Sequence, residues 1–509
     1  MKILKDILFS FGIAFALLFI PWAVLHNQGF SLDSIELSQS IYSLYILVVC
    51  GSLFLFWLKT KAFFSTNRIL RYFALFAFYI AGLALLNSVK ELVVLDGRAA
   101  QSWLLNILMV CSIPLLAYLF YQKPQKVMQV YTFVGVLLSP FACFRIVEDV
   151  RGIVINNAPV VIGAGSSKII WMVFDEMEPE IAFFSRPAQL KLPVLDQFKS
   201  ESLFATEAHQ PGNGTIISFP ALITGKEVAN SVIEGHNKLR LHFKEGGSAL
   251  WNQHSTIFTR LNERGLNSAL VGFHHPYDRI LGHTLFSCHS YFPIAKASLK
   301  GWLVNTCRNF IKFNLRDLFR KTGVFKIDAV RRESDRIIGS ENCIYLYKKI
   351  WKKAKEHLLD SRANLVFLHF SVPHLEWIFD PALYKLTTAK CSYTDNLILV
   401  DKTLGKVRAM LEKTGQWDNA VIILSSDHGI RWPEINGLRS GCLTEDEIAL
   451  CEKRTKPLVP FIVKMPHEKE GIVFNEPFNT RLTQEMILDI VDGKIQNLSE
   501  LADWLRHHN

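Results

Sequence analysis

Residues 421–429 read VIILSSDHG, and this stretch decides the fold expected for the second part of the chain. The apolar run 421–424 is continuous rather than alternating, which is typical of a strand covered on both faces of a sheet. Asp427 and His428 follow it directly. Because chemistry in α/β sheets collects at the carboxyl ends of the strands, the residues after such runs are the candidates for a functional site.

Four further apolar runs have the same character. Between the runs at 365 and 421 lies YTDNLILVDKTLGKVRAMLEKTG, whose apolar residues recur at helical spacing and which stops at a glycine. Strand, helix and strand in this order indicate a largely parallel arrangement. We therefore predict an α/β domain with a central mixed sheet flanked by helices. The further strands are expected at Ile169–Phe174, 269–273, Leu365–Phe370 and Phe461–Lys464.

The first part of the chain has a different character. Five segments without Asp, Glu, Lys or Arg each reach the roughly 18–20 residues that a helix needs to cross a bilayer. We predict a transmembrane domain of five helices over 1–145, a linker over 146–167 and the α/β domain over 168–509. One of the two shorter segments could instead be a re-entrant or surface helix. The segments are 7–25, 37–58, 72–89, 99–122 and 127–144.

The composition agrees with this division. The chain of 509 residues is 50% apolar, yet 20% of its residues are charged, with a net charge of +10. Mean hydropathy is +0.20. One part in lipid and one part in water explain this balance. With 12% aromatic residues and only 28 Gly and 19 Pro, the composition excludes disordered and collagen-like chains.

The loop charges predict the orientation. The N-terminus and the loops 59–71 and 123–126 carry two, four and two basic residues, whereas acids offset the bases in 26–40 and 90–98. The positive-inside rule then places the N-terminus in the cytoplasm and the α/β domain on the extracytoplasmic side of the cytoplasmic (inner) membrane. No small-residue cleavage site follows the first segment, so we expect an uncleaved anchor. Nucleic acid is not an expected partner at that location.

Cysteine usage fits an exported domain. Six cysteines follow residue 168, and an even number there suggests disulfide bonds. Cys442 and Cys451 are the best candidates for a pair, because a short acidic segment joins them. The alternative is that these thiols are reduced and buried. The six are Cys288, Cys307, Cys343, Cys391, Cys442 and Cys451.

Acidic and imidazole side chains follow several of the predicted strands. Asp175 and Glu176 come after the first strand, His275 after the second and His374 after the third. Together with Asp427 and His428, the acids and His374 are the kind of ligands that bind a divalent metal, and a mixed N/O set suits Zn²⁺ better than Mg²⁺. His274 and His275 could instead line the pocket. Alternatively, the acids are helix N-caps and the histidines polar loop residues.

Residues 209–225, HQPGNGTIISFPALITG, supply a hydroxyl. The glycines allow a close approach to a ligand, and a helix is expected to start at Thr215 with Pro220 in its first turn. There the free N–H groups would stabilise an alkoxide and an anion, and a nearby metal would lower the pKa of the hydroxyl. Ser218 lies one turn further on and is expected to bond the backbone. Alternatively, Thr215 is only an N-cap or part of a glycosylation sequon.

This order of motifs resembles the alkaline phosphatase/sulfatase superfamily. With five N-terminal membrane helices, the chain resembles the bacterial phosphoethanolamine and phosphoglycerol transferases of the cell envelope. The resemblance implies that Thr215 is the nucleophile and a metal ligand, and that His374 contacts the substrate phosphate or a second metal. It leaves open whether Glu176 binds metal. The other metal ligands that it implies are Asp175, Asp427 and His428.

The resemblance also implies a reaction. A metal-dependent transferase would move a phosphoethanolamine or phosphoglycerol group from a phospholipid donor to an envelope glycan or lipid through phospho-Thr215. The alternatives are hydrolysis of a sulfuric or phosphoric ester and a non-catalytic membrane sensor. No Cys-x-Pro-x-Arg stands at the nucleophile, so formylglycine chemistry has no residue to start from.

Overall fold

The computed structural model describes residues 157–161, 168–292, 333–431, 444–452 and 456–508, with a few isolated positions before residue 134. Within these residues, no helix is both long and apolar enough to span a bilayer. The five apolar segments and most of the linker lie outside the described residues, so the membrane domain and its orientation stay predictions. The chain divides into two compact units, Met1–Val154 with Ala295–Asp328 and Ile155–Ile294 with Ala329–Asn509.

The second unit is built on an eight-stranded mixed sheet. Its strand order is β14-β2-β13-β12-β1-β9-β7-β8. The five strands from β12 to β8 are parallel to one another, whereas β13 is antiparallel to both β12 and β2. These strands are β1 Ile169–Phe174, β2 Leu203–Ala205, β7 Ser268–Phe273, β8 Ser287–Tyr291, β9 Leu365–Phe370, β12 Val421–Ser425, β13 Phe461–Lys464 and β14 Ile472–Phe474.

Three small sheets surround the main one. A three-stranded sheet is formed by β4, β5 and β6, and two pairs are β10 with β11 and β3 with β15. Their bounds are β3 Ala208–His209, β4 Val228–Gly235, β5 Lys238–Phe243, β6 Ser248–Leu250, β10 Phe379–Asp380, β11 Lys385–Leu386 and β15 Phe478–Asn479.

Nine α-helices are described in this unit. Short 3₁₀ turns (Trp251–Gln253, Gly282–Thr284, Thr480–Leu482) and a π-helix (Glu180–Phe184) join them. The helices are α1 Pro193–Ser200, α2 Thr215–Thr224, α3 Ile257–Asn262, α4 Tyr277–Ile280, α5 Glu333–Leu359, α6 Tyr393–Lys413, α7 Glu445–Glu452, α8 Thr483–Val491 and α9 Leu498–His507.

Helices cover both faces of the sheet. On one face, Met172 of β1 shares a buried cluster with Ile350 of α5 and Leu404 of α6. On the other face, Phe367 of β9 meets Phe219 of α2 edge-on, with ring centroids 5.9 Å apart. A parallel strand that is buried on both faces needs a continuous apolar sequence, and this is the pattern that the sequence shows.

The predicted α/β class and its strands are confirmed. Three strands have the predicted bounds, while β7 begins one residue earlier and β12 ends one residue later than predicted. The helix predicted between β9 and β12 is α6. It begins with a capping box in which the Ser392 hydroxyl accepts the N–H of Asp395 and the Asp395 carboxylate accepts the N–H of Ser392.

Pro220 lies deeper in α2 than predicted. The helix does begin at Thr215, but Pro220 is its sixth residue and therefore lies beyond the first turn. A proline there leaves the carbonyl four residues earlier without its helical N–H partner. Ser231 of β4 donates its hydroxyl to that carbonyl, on Ile216, at 3.0 Å. The helix ends at Gly225, whose φ of 70° favours glycine.

The cysteines only partly follow the expectation of disulfides. In the described part of the chain, Cys288, Cys343 and Cys391 form no disulfide bond. They lie on different elements: Cys288 is buried on β8, and the Cys343 thiol on α5 accepts the N–H of Glu376. For these three, the disulfide prediction is wrong. The proposed pair of Cys442 and Cys451 lies outside the described side chains and stays a prediction.

A buried histidine near the end of α5 should make the stability of the fold depend on pH. His357 is buried against β8, and its Nε2 lies 3.2 Å from the Ser287 hydroxyl. Burial lowers the pKa of His357 to about 4. Below pH 6.5 the unfolded chain therefore binds more protons here than the folded chain, so the free energy of unfolding should fall by up to about 3 kcal/mol between pH 6.5 and pH 4.

Denaturant unfolding across this pH range measures the effect. His357→Gln removes the titrating ring and should show a shallower fall in the free energy of unfolding. Equal slopes for the variant and the wild type would show that His357 does not contribute.

Candidate active site

The parallel strands bring the chemical residues together. Because β1, β7, β9 and β12 run in the same direction, their carboxyl ends lie at one edge of the sheet. Asp175 follows β1, Asp427 follows β12, His374 follows β9 and His274 follows β7. The sheet therefore collects side chains that lie up to about 250 residues apart in the sequence.

Asp175, Asp427 and His428 form a buried cluster. One ligand atom from each lies within 4.8 Å of the others. The Nε2 atom of His428 is 3.4 Å from an oxygen of Asp427 and 3.7 Å from an oxygen of Asp175. All three residues are at most 2% exposed. Two acids and one imidazole at this spacing can hold a metal ion.

The bonding of these side chains fits a cation. Within the described part of the chain, Asp175 Oδ1 and Asp427 Oδ2 are buried and accept no hydrogen bond. Burial, together with the charges of Asp427 and Glu176, raises the pKa of Asp175 well above its usual value. His428 bonds the Gly429 carbonyl through Nδ1 at 2.9 Å. Since a carbonyl only accepts, Nδ1 donates this bond, and Nε2 is the ring nitrogen that faces the acids.

Ser426 and Asp427 fix the loop after β1. The N–H of Met177 donates to the Ser426 hydroxyl at 3.0 Å, and the N–H of Glu176 lies 3.3 Å from Asp427 Oδ1. Asp427 Oδ1 also accepts the N–H of His428 at 2.9 Å. One oxygen of Asp427 is therefore used to hold backbone, and the other is directed to the cluster.

Helix α6 fixes the same loop from the other side. The Tyr393 hydroxyl donates to the Glu176 carbonyl at 2.8 Å and accepts the N–H of Glu178 at 2.7 Å. The buried Glu178 carboxylate in turn accepts the N–H of Ile430, just beyond His428. These bonds hold the loop after β1 and the loop after β12 in fixed positions relative to each other.

Thr215 brings a hydroxyl to the cluster. It is the first residue of α2, and its Oγ1 lies 3.4 Å from His428 Nε2. The N-terminus of the helix, where the helix dipole favours negative charge, lies beside it. Ser218, one turn on, donates its hydroxyl to the Gly212 carbonyl at 2.9 Å. Of the two predicted hydroxyls, Thr215 is the one that contacts the cluster.

His275 holds the backbone of Thr215. It is fully buried, and its Nε2 lies 3.0 Å from the Thr215 carbonyl. Burial lowers the pKa of His275 well below its usual value, so the ring is neutral and Nε2 carries the proton that the carbonyl accepts. The structure thus places His275 behind the hydroxyl-bearing residue and not among the ligand atoms of the cluster.

Glu176 lies at the rim of the cluster. Its carboxylate is 3.5 Å from Arg431 Nε and 3.8 Å from His374 Nε2. It has a φ of 62°, which is uncommon for a residue other than glycine and costs of order 1–3 kcal/mol. The Glu176 carboxylate thus faces the two basic groups at the rim.

His374 was predicted from the sequence to be a site residue. It lies near the site, because its Nε2 contacts the Glu176 carboxylate. Its side chain is 27% exposed, whereas that of Glu176 is 3% exposed. His374 can thus be reached from solvent, as a residue that contacts substrate must be.

One residue at the site, Arg431, was missed by the sequence reasoning, whereas His274 was expected beside His275 as a residue that could line the pocket. Arg431 is partly exposed, and its Nη1 lies 3.6 Å from the position that a Cβ on Gly214 would take. His274 has a φ of 71°, and its ring is within electrostatic reach of Asp427 and Arg431. The position of His274 at a strand end was a usable signal. The position of Arg431, four residues after Asp427, was a weaker one.

The family follows from a comparison with known domains. The family model for the sulfatases matches residues 168–486, more than half of the chain. The chain belongs to the sulfatase family. It is accordingly an enzyme of the sulfatase and phosphatase class, and its cluster of Asp175, Asp427 and His428 fits a family that is typically metal-dependent. A comparison with curated proteins gives no match.

Solved structures with a similar fold include three enzymes of different activity. The sulfatase PsFucS1 from Pseudoalteromonas sp. is 16% identical, with a TM-score of 0.40, over 65% of this chain and 68% of that one. A phosphonate monoester hydrolase from Silicibacter pomeroyi is 14% identical, with a TM-score of 0.40, over 64% and 73%. The lipoteichoic acid synthase LtaP from Listeria monocytogenes is 13% identical, with a TM-score of 0.39, over 68% and 77%. The family assignment of this chain rests on the match to the family model.

The cluster predicts metal binding that depends on Asp427. Asp427→Asn removes one charge and one ligand oxygen, so we expect zinc affinity to fall at least about 100-fold. Elemental analysis of the purified chain measures this, with about one ion per chain expected for the wild type. Asp401→Asn is the control, because Asp401 is also buried but bonds the N–H of Leu195, far along the chain from the cluster. Stoichiometric zinc in Asp427→Asn would exclude this site.

Proposed function

We propose that this sulfatase-family enzyme is a phosphotransferase. It moves a phosphoethanolamine or phosphoglycerol group from a phospholipid to an envelope glycan or lipid. The observation that carries the proposal is the Thr215 hydroxyl at the start of α2, 3.4 Å from His428 Nε2 and beside two buried acids. A threonine hydroxyl can form a stable phosphoester and then release it to a second hydroxyl.

The reaction has two balanced steps. In the first, Thr215 Oγ1 bonds to the donor phosphorus while the bond from phosphorus to the diacylglycerol oxygen breaks, and the proton lost by the threonine hydroxyl passes to that oxygen. In the second, an acceptor hydroxyl bonds to the phosphorus while the bond to Thr215 Oγ1 breaks, and the acceptor proton restores the threonine hydroxyl. A divalent ion, which we propose is Zn²⁺, would be held by Asp175, Asp427, His428 and Thr215 and would lower the pKa of the threonine hydroxyl.

The residues around Thr215 suit this chemistry. His275 fixes the backbone of Thr215, so the hydroxyl is held in one place before the substrate arrives. The N–H groups at the start of α2 and the guanidinium of Arg431 provide positive potential for a phosphoryl group. His374 and His274 lie at the same rim.

A lipid donor would explain why apolar segments precede the catalytic domain. Five apolar segments in the first 145 residues would hold the enzyme in the cytoplasmic membrane, with residues 168–509 on the extracytoplasmic side. A membrane-bound catalytic domain meets its donor at the bilayer surface. A soluble ester would not require such an anchor.

Hydrolysis of a sulfate or phosphate ester is the second candidate. The same cluster and the same basic rim could bind either anion, and Asp175 followed by Glu176 is a paired acid as in sulfatases. In hydrolysis, water would replace the acceptor hydroxyl in the second step. A non-catalytic sensor is not retained, because the chain is an enzyme of the sulfatase and phosphatase class.

Product analysis separates transfer from hydrolysis. The full-length enzyme in vesicles is given a phospholipid that is labelled in its headgroup phosphate, together with an envelope glycan. The label should move to the glycan and leave diacylglycerol behind. If the label appears only as free phosphate or free headgroup phosphate, the enzyme is a hydrolase.

The covalent step makes a prediction about two hydroxyls. Thr215→Ala should abolish the phosphorylated peptide seen by mass spectrometry after incubation with phospholipid, and it should also weaken metal binding. Ser218→Ala is the matched control, because the Ser218 hydroxyl donates to the Gly212 carbonyl. Its removal should lower the free energy of unfolding by only about 0.5–2 kcal/mol. An adduct on Ser218, or normal turnover by Thr215→Ala, would contradict the assignment.

Arg431 predicts how the enzyme recognises an anion. Arg431→Gln removes a charged donor near Thr215, so KM for the anionic substrate should rise about 10- to 100-fold, as expected for a hydrogen bond to a charged group. Arg506→Gln controls for loss of an arginine, since Arg506 forms ion pairs with Glu476 and Asp503 on α9 and its surroundings. An unchanged KM in Arg431→Gln would exclude substrate contact by this residue.

A further inference from the structure

A second concave site lies beside the loop that leads to Thr215. It is a cavity of about 440 Å³, within the range of small-molecule sites in proteins. Gln210, Gly212 and Asn213 form one side, so the cavity borders the chain that precedes the proposed nucleophile. Other polar residues in its lining are Asn479, Glu227 and Lys244.

The walls combine amides with an ion pair. Gln210 Nε2 donates to Asn213 Oδ1 at 2.9 Å, and Asn479 Nδ2 donates to the Gln210 carbonyl at 3.2 Å. An amide side chain offers two donors and two acceptor lone pairs, so each retains capacity for further bonds. Lys244 and Glu227 neutralise one another on the opposite side.

The polar set matches a neutral ligand with many hydroxyl groups. Hydroxyls both donate and accept, as the amides do, and they need no net charge from the wall. Pro211, Pro477 and Phe478 add apolar surface. The mixture of amides and flat apolar surface therefore favours a sugar ring over an acyl chain, which would leave the amides unsatisfied.

The cavity is joined to the metal cluster by hydrogen bonds. The N–H of Gly429 donates to Gln210 Oε1 at 3.3 Å, and the Gly429 carbonyl accepts from His428 Nδ1 at 2.9 Å. Asn213 stands two residues before Thr215. A ligand bound against Gln210 and Asn213 would thus lie next to the chain that leads to Thr215 and to the loop that carries His428.

We infer that this cavity binds a neutral sugar ring of the acceptor. The inference rests on the proposed function, in which an acceptor hydroxyl must reach the phosphorus on Thr215. A ring in the cavity presents one hydroxyl to that phosphorus; the new P–O bond forms as the bond to Thr215 Oγ1 breaks, and the hydroxyl proton passes to Thr215. The cavity supplies the acceptor, whereas the rim at Arg431 and His374 receives the donor.

A variant that fills the cavity tests this role. Ala229 lines the cavity and is exposed on β4, so Ala229→Trp adds a large ring to the cavity without replacing a core residue. Asn230→Trp is the matched control, because Asn230 is the next residue of β4, is also exposed, and does not line the cavity. Thermal unfolding of both variants shows whether they fold.

Saturation-transfer NMR of the full chain with maltose and with chitobiose measures sugar binding directly. Wild type and Asn230→Trp should bind at least one disaccharide, and Ala229→Trp should bind it at least about tenfold more weakly. Asn213→Ala, a truncation at an exposed position, should weaken binding in the same direction and serves if Ala229→Trp does not fold. Binding of neither disaccharide by the wild type, or equal binding by all variants, overturns the inference.

The test of the sugar site and the test of the transferase proposal can fail independently of each other. A phospho-Thr215 adduct in a chain that binds neither disaccharide would overturn the sugar site and leave the transferase proposal standing. Disaccharide binding that Ala229→Trp abolishes, in a chain that forms no adduct, would support the sugar site and overturn the transferase.

Discussion

Two carboxylates buried side by side impose the main constraint on this structure. Asp175 and Asp427 lie at the edge of the sheet with His428 between their oxygens, and each keeps one oxygen without a hydrogen bond in the described part of the chain. Burying two like charges is costly unless a positive charge accompanies them. The bonds from Ser426, Tyr393 and Glu178 hold the two loops in place against this repulsion, which is what a preformed cation site requires.

The remaining features of the site are arranged around that charge. His275, kept neutral by burial, holds the backbone of Thr215 and adds no positive charge behind it. The basic groups of Arg431 and His374 lie further out, where they face Glu176 at the rim. We propose that with this order the inner acids would hold a metal ion beside the hydroxyl, and the outer bases would receive the phosphate. A ligand in the cavity at Gln210 would then reach the phosphate from the side.

The sequence predicted those features that depend on a local pattern of residues, namely the strands and the polar residues that follow them. Continuous apolar runs located β1, β7, β9, β12 and β13, and the polar residues after them located the cluster, because parallel strands share an edge. Contacts between distant segments were not predictable. Ser231 satisfies the carbonyl that Pro220 leaves open, and Gln210 bonds Gly429, and neither pair has a local signal. Arg431 was missed for the same reason, since only the fold brings it to Gly214.

The central claim is that the strand edge holds a metal through Asp175, Asp427, His428 and Thr215. X-ray absorption at the zinc edge, on the zinc-loaded full chain, examines the ligands directly. The account predicts only nitrogen and oxygen ligands, at about 2.0–2.2 Å, with the scattering of a single imidazole. Sulfur at about 2.3 Å, or the scattering of two or more imidazoles, would contradict it.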